Sequence, residues 1–215
     1  MSRLPVYLLA PIVLPQSIAL RRRTPALEDP PGPRSGGAGD RHLLVVGDST
    51  AVGMGVATLD EALPARLASR LDARWTVVGR SGWTAPEVLR DYGADAAGEA
   101  DVLVLLVGWN DAMQLRSPRA FEAALDALVT GARAARIVVV APPRFGGFPV
   151  LPQPLRAALG DVIAGLTRRA ARVAAARGAD LVPGFEGVHV ARDGFHPDAA
   201  GYDAMAATIA SVLRG

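Results

Sequence analysis

Short apolar runs that each stop at a turn, separated by segments of helical spacing, constrain this chain more than any other feature. Leu43-Leu44-Val45-Val46-Gly47, Trp75 to Gly79, Asp101 to Gly108, Arg136 to Pro143 and Asp180-Leu181-Val182 are such runs. They show no polar alternation, so they read as strands buried on both faces, which is the mark of a parallel sheet. Between them, Asp60 to Leu71 carries Leu63, Leu67 and Leu71 one helical turn apart, with Pro64 near its start. Ala85 to Tyr92 predicts a short helix with Pro86 early, and Ser117-Pro118 opens a helix running to about Arg133, with Ser as N-cap and Pro at the first position. Gln153 to Arg177 is a long Ala-rich helix, and Pro197 starts a last one through Met205 and Ile209 to Leu213. Strands and helices in alternation require a parallel sheet covered on both faces, with right-handed crossovers. The chain has no internal repeats.

Composition removes several chemistries. None of the 215 residues is Cys, which excludes disulfides, thiolate metal sites and a cysteine nucleophile. All 23 basic residues are Arg, so there is no phosphate-loop lysine, no Schiff-base lysine and no Ser–Lys pair. With only His42, His189 and His196, a histidine-rich metal site is not expected. Net charge is +2 and, outside Arg21-Arg22-Arg23, the arginines are interspersed with carboxylates, so no nucleic-acid partner is expected.

Residues 1–40 stand apart from the domain expected over 41–215. Leu4 to Leu20 is apolar but broken by Pro5, Pro11 and Pro15, and Thr24 to Asp40 is rich in Pro and Gly and reads as a linker. The apolar part has four readings: packing on the domain, peripheral membrane contact through residues 4–20, a signal peptide cleaved near Ser17 and Ala19, or a membrane span. A span needs about 20 apolar residues. Positive charge after the run opposes export. Cytoplasmic or membrane-associated placement is therefore expected ahead of secretion.

In open parallel sheets, ligands bind beyond the carboxyl ends of the strands. There the sequence places Gly47-Asp48-Ser49-Thr50, then Gly79-Arg80-Ser81-Gly82-Trp83-Thr84, then Gly108-Trp109-Asn110-Asp111, and before the last helix Asp193-Gly194-Phe195-His196. These are the parts acyl transfer requires. Ser49 is a nucleophile once a base takes its proton, and His196 is the natural base. Asp193, three residues earlier, can hold the other ring nitrogen. Asn110 can offer its amide, and Gly82 and Ser49 their backbone N–H groups, to an oxyanion. Taken singly, Ser49 could be a cap, Asp193 a turn residue, Asn110 a helix cap and Gly82 a turn glycine. Asp48 and Asp111 read as loop stiffeners through bonds to backbone. Gly53-Met54-Gly55 faintly suggests a dinucleotide loop, but Ser49 occupies the turn that motif needs and the second strand ends in Gly79-Arg80 instead of an acid.

The four segments, GDST, RSGWT, GWND and DGFH, resemble the signature blocks of the SGNH hydrolases, the GDSL-type esterases and lipases. They match in order and spacing across residues 43 to 213, with Thr50 where that family's name expects Leu. The resemblance implies a three-layer α/β/α sandwich, flavodoxin-like, with five parallel strands in the order 2-1-3-4-5. It implies a Ser49, Asp193, His196 triad, an oxyanion hole of Ser49, Gly82 and Asn110, and no cofactor.

The expected activity is cleavage of a small-molecule carboxylic ester, with short to medium acyl chains, through an acyl-enzyme. Thioesterase, lysophospholipase or carbohydrate deacetylase chemistry on the same triad, or a catalytically silent binding module, are the alternatives. The loop Ala141 to Pro154 is apolar enough for Phe145, Phe148, Val150 and Leu151 to line an acyl pocket with Trp109 and Met113, or equally to pack on the protein's own surface. Oligomeric state is not legible.

Overall fold

The buried runs become a five-stranded parallel sheet. In the computed structural model, which describes residues 9–92, 99–144, 148, 150–185 and 189–215, β1 spans Ser35–Gly47, β2 Ala73–Gly79, β3 Ala100–Leu106, β4 Ala134–Val140 and β5 Asp180–Val182. Their order is β2-β1-β3-β4-β5, every pair parallel. The helices are α1 (Ala10–Arg23), α2 (Leu63–Leu71), α3 (Ala85–Tyr92), α4 (Trp109–Met113), α5 (Pro118–Gly131), α6 (Leu155–Arg177) and α7 (Ala199–Arg214).

Successive side chains of a strand point to opposite faces, and the sheet divides accordingly. Leu43, Val45, Val104 and Val138 pack with Leu63 and Leu67 of α2 and Tyr202, Met205 and Ile209 of α7. Leu44, Val46, Leu103 and Leu105 pack on the other side with Val88 of α3, Phe121 and Leu125 of α5, and Ile163 and Leu166 of α6. This is the three-layer α/β/α sandwich. Most of these side chains keep under 2% of their surface exposed, and each contributes about 1.5–3 kcal/mol by leaving water.

Local chemistry sets the helix starts. Ser117 accepts a hydrogen bond from the Ala120 N–H and Pro118 stands at the first helical position of α5. Asp198 caps α7 through the Gly201 N–H at 2.9 Å, so that helix begins at Ala199, two residues after Pro197. A short 3₁₀ turn, Leu59–Glu61, precedes α2 where one longer helix is expected from Asp60, because Pro64 at its first turn restarts the helix.

The N-terminal region departs furthest from expectation. β1 begins at Ser35, so the last residues of the segment read as a linker are strand, and a boundary after residue 40 falls inside β1. The exposed stretch from Ser35 to Asp40 pairs with β2 through an irregular register around Trp75 and Ala73. Upstream, α1 lies against α6. Val13 is buried in the core, and the Gln16 amide donates to the Gln153 carbonyl at 2.6 Å and accepts from the Leu155 N–H at 3.1 Å. That second bond satisfies an N–H that the first turn of α6 would otherwise leave orphaned. No helix of the described residues is long and apolar enough to cross a membrane.

Candidate active site

Strand order reverses between β1 and β3, and such a switch point opens a crevice beyond the carboxyl ends of the strands. The turn after β1 carries Asp48 and Ser49 there, and the start of α4 after β3 carries Trp109 and Asn110. Gly108 makes the second possible. Its φ of +115° belongs to glycine, and a Cβ would lie 2.5 Å from Pro142 Cγ and 3.0 Å from the Phe121 ring.

His196 arrives from the other end of the chain, on the loop before α7. Its Nε2 lies 2.9 Å from Ser49 Oγ, and its Nδ1 lies 2.5 Å from Asp193 Oδ2. A carboxylate can only accept, so Nδ1 carries the proton and Nε2 is left to accept from the Ser49 hydroxyl. Asp193 Oδ1 also accepts from the backbone N–H groups of Phe195 and His196, at 3.0 and 3.1 Å. Burial alone would raise the Asp193 carboxyl, but the hydrogen bonds from His196 and from these N–H groups outweigh it and hold it below its ordinary value. Asp193 keeps 3% of its side-chain surface exposed and His196 20%, so the carboxylate is shielded while the ring can reach an incoming molecule.

Asn110 is oriented from two sides. Its Nδ2 donates to the Trp83 carbonyl at 3.0 Å and, more weakly, to Asp48 Oδ2 at 3.4 Å. Gln114 Nε2, one turn along, donates to the Gly82 carbonyl at 3.1 Å. These bonds tie the turn after β2 to α4. Gly82 sits in that turn at φ +86°, and a Cβ there would meet nothing within 4 Å, so its surroundings are open.

Two buried acids brace the loops. Asp48 Oδ1 accepts from the Thr50 N–H at 3.0 Å, and Asp111 Oδ2 accepts from the Ala85 N–H at 2.9 Å, joining α4 to the start of α3. Burial pushes each carboxyl up to about 6, against the pull of these same hydrogen bonds. Among the described residues, no cluster of three His, Asp or Glu side chains could hold a metal ion.

Next to the turn that carries Ser49 lies a cavity of about 60 Å³, walled by Asp48 and Thr50 on either side of that serine in the chain and by Trp109, Phe148, Phe185 and Phe195 among others. Trp109, Phe148 and Phe195 form a trio of tilted and stacked rings with centroids 5.2–6.1 Å apart, each contact worth about 0.5–1.5 kcal/mol beyond simple burial. The expected acyl-pocket residues therefore divide. Trp109 and Phe148 are at the wall. Leu151 is not, because it is fully buried in the core under α6. Val150 turns the other way, packing beside Gly194 and facing a shallow pocket that includes Asp193. Met113 faces a separate groove against α1, and Phe145 lies outside the described residues. Phe195 and Phe185 are cavity residues that sequence reasoning passed over; the signal for Phe195 was its position directly before His196.

The model of the GDSL-like lipase/acylhydrolase family matches residues 45–204. No curated protein matches the sequence significantly. Solved structures of similar fold include TesA, 25% identical with a TM-score of 0.65 over 81% of this chain and 98% of that one. Another is phospholipase A1 from Streptomyces albidoflavus, 21% identical with a TM-score of 0.56 over 81% and 98%. A catalytic mutant of an acetylxylan esterase from Geobacillus stearothermophilus is 18% identical, with a TM-score of 0.60 over 81% and 94%.

Proposed function

Since this chain belongs to the GDSL-like lipase/acylhydrolase family, and is thereby a hydrolase of small-molecule esters, we propose that it cleaves carboxylic esters through an acyl-enzyme on Ser49. The observation that carries this reading is the unbroken relay from Ser49 Oγ to His196 Nε2 at 2.9 Å and from His196 Nδ1 to Asp193 at 2.5 Å.

In the first half-reaction, His196 takes the Ser49 proton as Oγ attacks the ester carbonyl carbon. The negative charge that develops on the carbonyl oxygen is met by the backbone N–H groups of Ser49 and Gly82 and by Asn110 Nδ2, whose weaker bond to Asp48 is the one it can give up. Such preorganised donors supply the largest single share of acyl-transfer catalysis. Asp193 fixes the ring tautomer and stabilises the imidazolium. When the tetrahedral intermediate collapses, His196 hands its proton to the leaving alkoxide. Water, deprotonated by His196, then attacks the acyl-enzyme; the carboxylic acid leaves and Ser49 regains its proton. None of these steps calls on a cofactor.

The aromatic wall of Trp109, Phe148 and Phe195, in a cavity that Asp48 and Thr50 also line, favours an acyl group over an acetylated sugar. Its small volume suits a short one. Thioester cleavage uses the same atoms and is distinguished only by the leaving group. A fluorophosphonate probe should label the native protein and not Ser49→Ala, and p-nitrophenyl esters should be turned over. Absence of both from the folded native protein would make the chain a silent binding module and overturn this reading.

A further inference from the structure

A 60 Å³ cavity holds only a few atoms, since one water takes up about 10–15 Å³ on that measure. A chain longer than a short acyl group must leave it. Among the described residues, a second space adjoins it across a single shared side chain. Phe195, which walls the cavity, also walls a groove of about 700 Å³ between α1 and the body of the fold. Specific ligand pockets fall in the range of about 300–1,000 Å³.

The groove is built on purpose-like chemistry from three sides. Leu14 and Ile18, one helical turn apart, supply the α1 wall; Met113 and Leu115, following Asn110, supply the near wall; Leu155 and Leu159 of α6 form the floor. Leu14, Ile18, Met113 and Leu115 keep 58%, 53%, 37% and 38% of their surface exposed. Four of the large exposed apolar side chains of the described residues thus face a single groove, and clustered exposed apolar surface of this kind marks a binding site. The α1 wall lies outside residues 45–204, the part the family model matches. It is held in place independently of any ligand by Val13 in the core and by the Gln16 bonds to Gln153 and Leu155.

We propose that this groove binds the acyl chain of a medium- to long-chain ester whose carbonyl sits at Ser49, with α1 as the wall that sets chain length. The proposal rests on the ester hydrolase reading above and extends it from the short acyl group of the cavity to a chain that passes over Phe195.

The test measures kcat/KM on soluble p-nitrophenyl esters from C2 to C10, below their aggregation concentrations, for the full-length native protein, for the double variant Leu14→Ser/Ile18→Ser and for Ile12→Ser. Native kcat/KM should rise by about two- to four-fold per added methylene beyond C4, the partition expected for half-buried hydrocarbon. The double variant should lower the C10-to-C2 ratio by at least about tenfold. Ile12 is 51% exposed on α1 but does not face the groove, and its variant should leave the ratio unaltered. A ratio untouched by the double variant, or lowered equally by Ile12→Ser, would overturn the groove; the second result would point to a lipid-surface contact of α1 instead. If the native protein turned over no ester at all, the hydrolase reading would fail by itself. The groove would then be read by displacement of dansyl-undecanoate with decanoate: displacement lost in the double variant supports it, and no displacement from the native protein refutes it.

Discussion

Asp111 is a carboxylic acid held where ionisation is costly, and the cost can be measured. It has no exposed surface, one oxygen accepts from the Ala85 N–H, and Oδ1 is buried without a hydrogen-bond partner among the described residues. Burial raises its carboxyl from 3.8 to about 6. In the unfolded chain the group ionises near 3.8, so between that pH and about 6 the folded state binds more protons and stability falls as pH rises. Above about pH 6 both states are ionised and the loss is complete, at about 3 kcal/mol. Asp111→Asn keeps the acceptor for Ala85 and removes the titration. It also relieves Asp48, whose own raised carboxyl is pushed further up by the charge on Asp111, so both effects have the same sign. The stability difference between variant and native protein should therefore grow by about 2.4 kcal/mol from pH 4 to pH 7, most of it below pH 6. Urea denaturation followed by tryptophan fluorescence at each pH reads it directly. The variant's new N–H₂ in the place of Oδ1 adds a penalty of about 1–3 kcal/mol that does not depend on pH, so only the slope is diagnostic. A flat difference would refute the reasoning.

Asn110→Ala removes the proposed oxyanion donor and should lower kcat on p-nitrophenyl butyrate by about 10²–10³-fold with little change in KM. A loss in KM alone would place Asn110 in ground-state binding. Gly108→Ala forces a Cβ to within 2.5 Å of Pro142 Cγ at a φ of +115°; it should destabilise the fold by about 2 kcal/mol or more in urea denaturation and misplace α4, lowering activity as well.

The sheet is legible in the sequence because its central strands are buried on both faces, leaving runs such as Leu43 to Gly47 and Asp101 to Gly108 with no polar interruption. The turns that follow them bring the four polar segments to one edge, which is why Ser49, Asn110, Asp193 and His196 stand out as candidates in the sequence and lie near one another in the structure. What escapes is settled by contacts remote in sequence. Ser35 to Asp40 reads as linker because its side chains are exposed and small; only backbone pairing with β2 makes it strand. Leu151 and Phe148 look alike in an apolar loop and both reach the core, yet only Phe148 also walls the cavity. The seat of α1 depends on Gln16 meeting Gln153 and Leu155, a pairing across most of the chain that no local pattern encodes.

The hydroxyl and the imidazole that meet in the crevice are 147 positions apart, and His196 is held on a loop that runs straight into the last helix. During synthesis the whole sheet leaves the ribosome before that loop and helix do. A growing polypeptide with every strand in place would still lack the imidazole that meets Ser49, so fluorophosphonate labelling of that serine, on the reading proposed above, would report that the loop before α7 has docked.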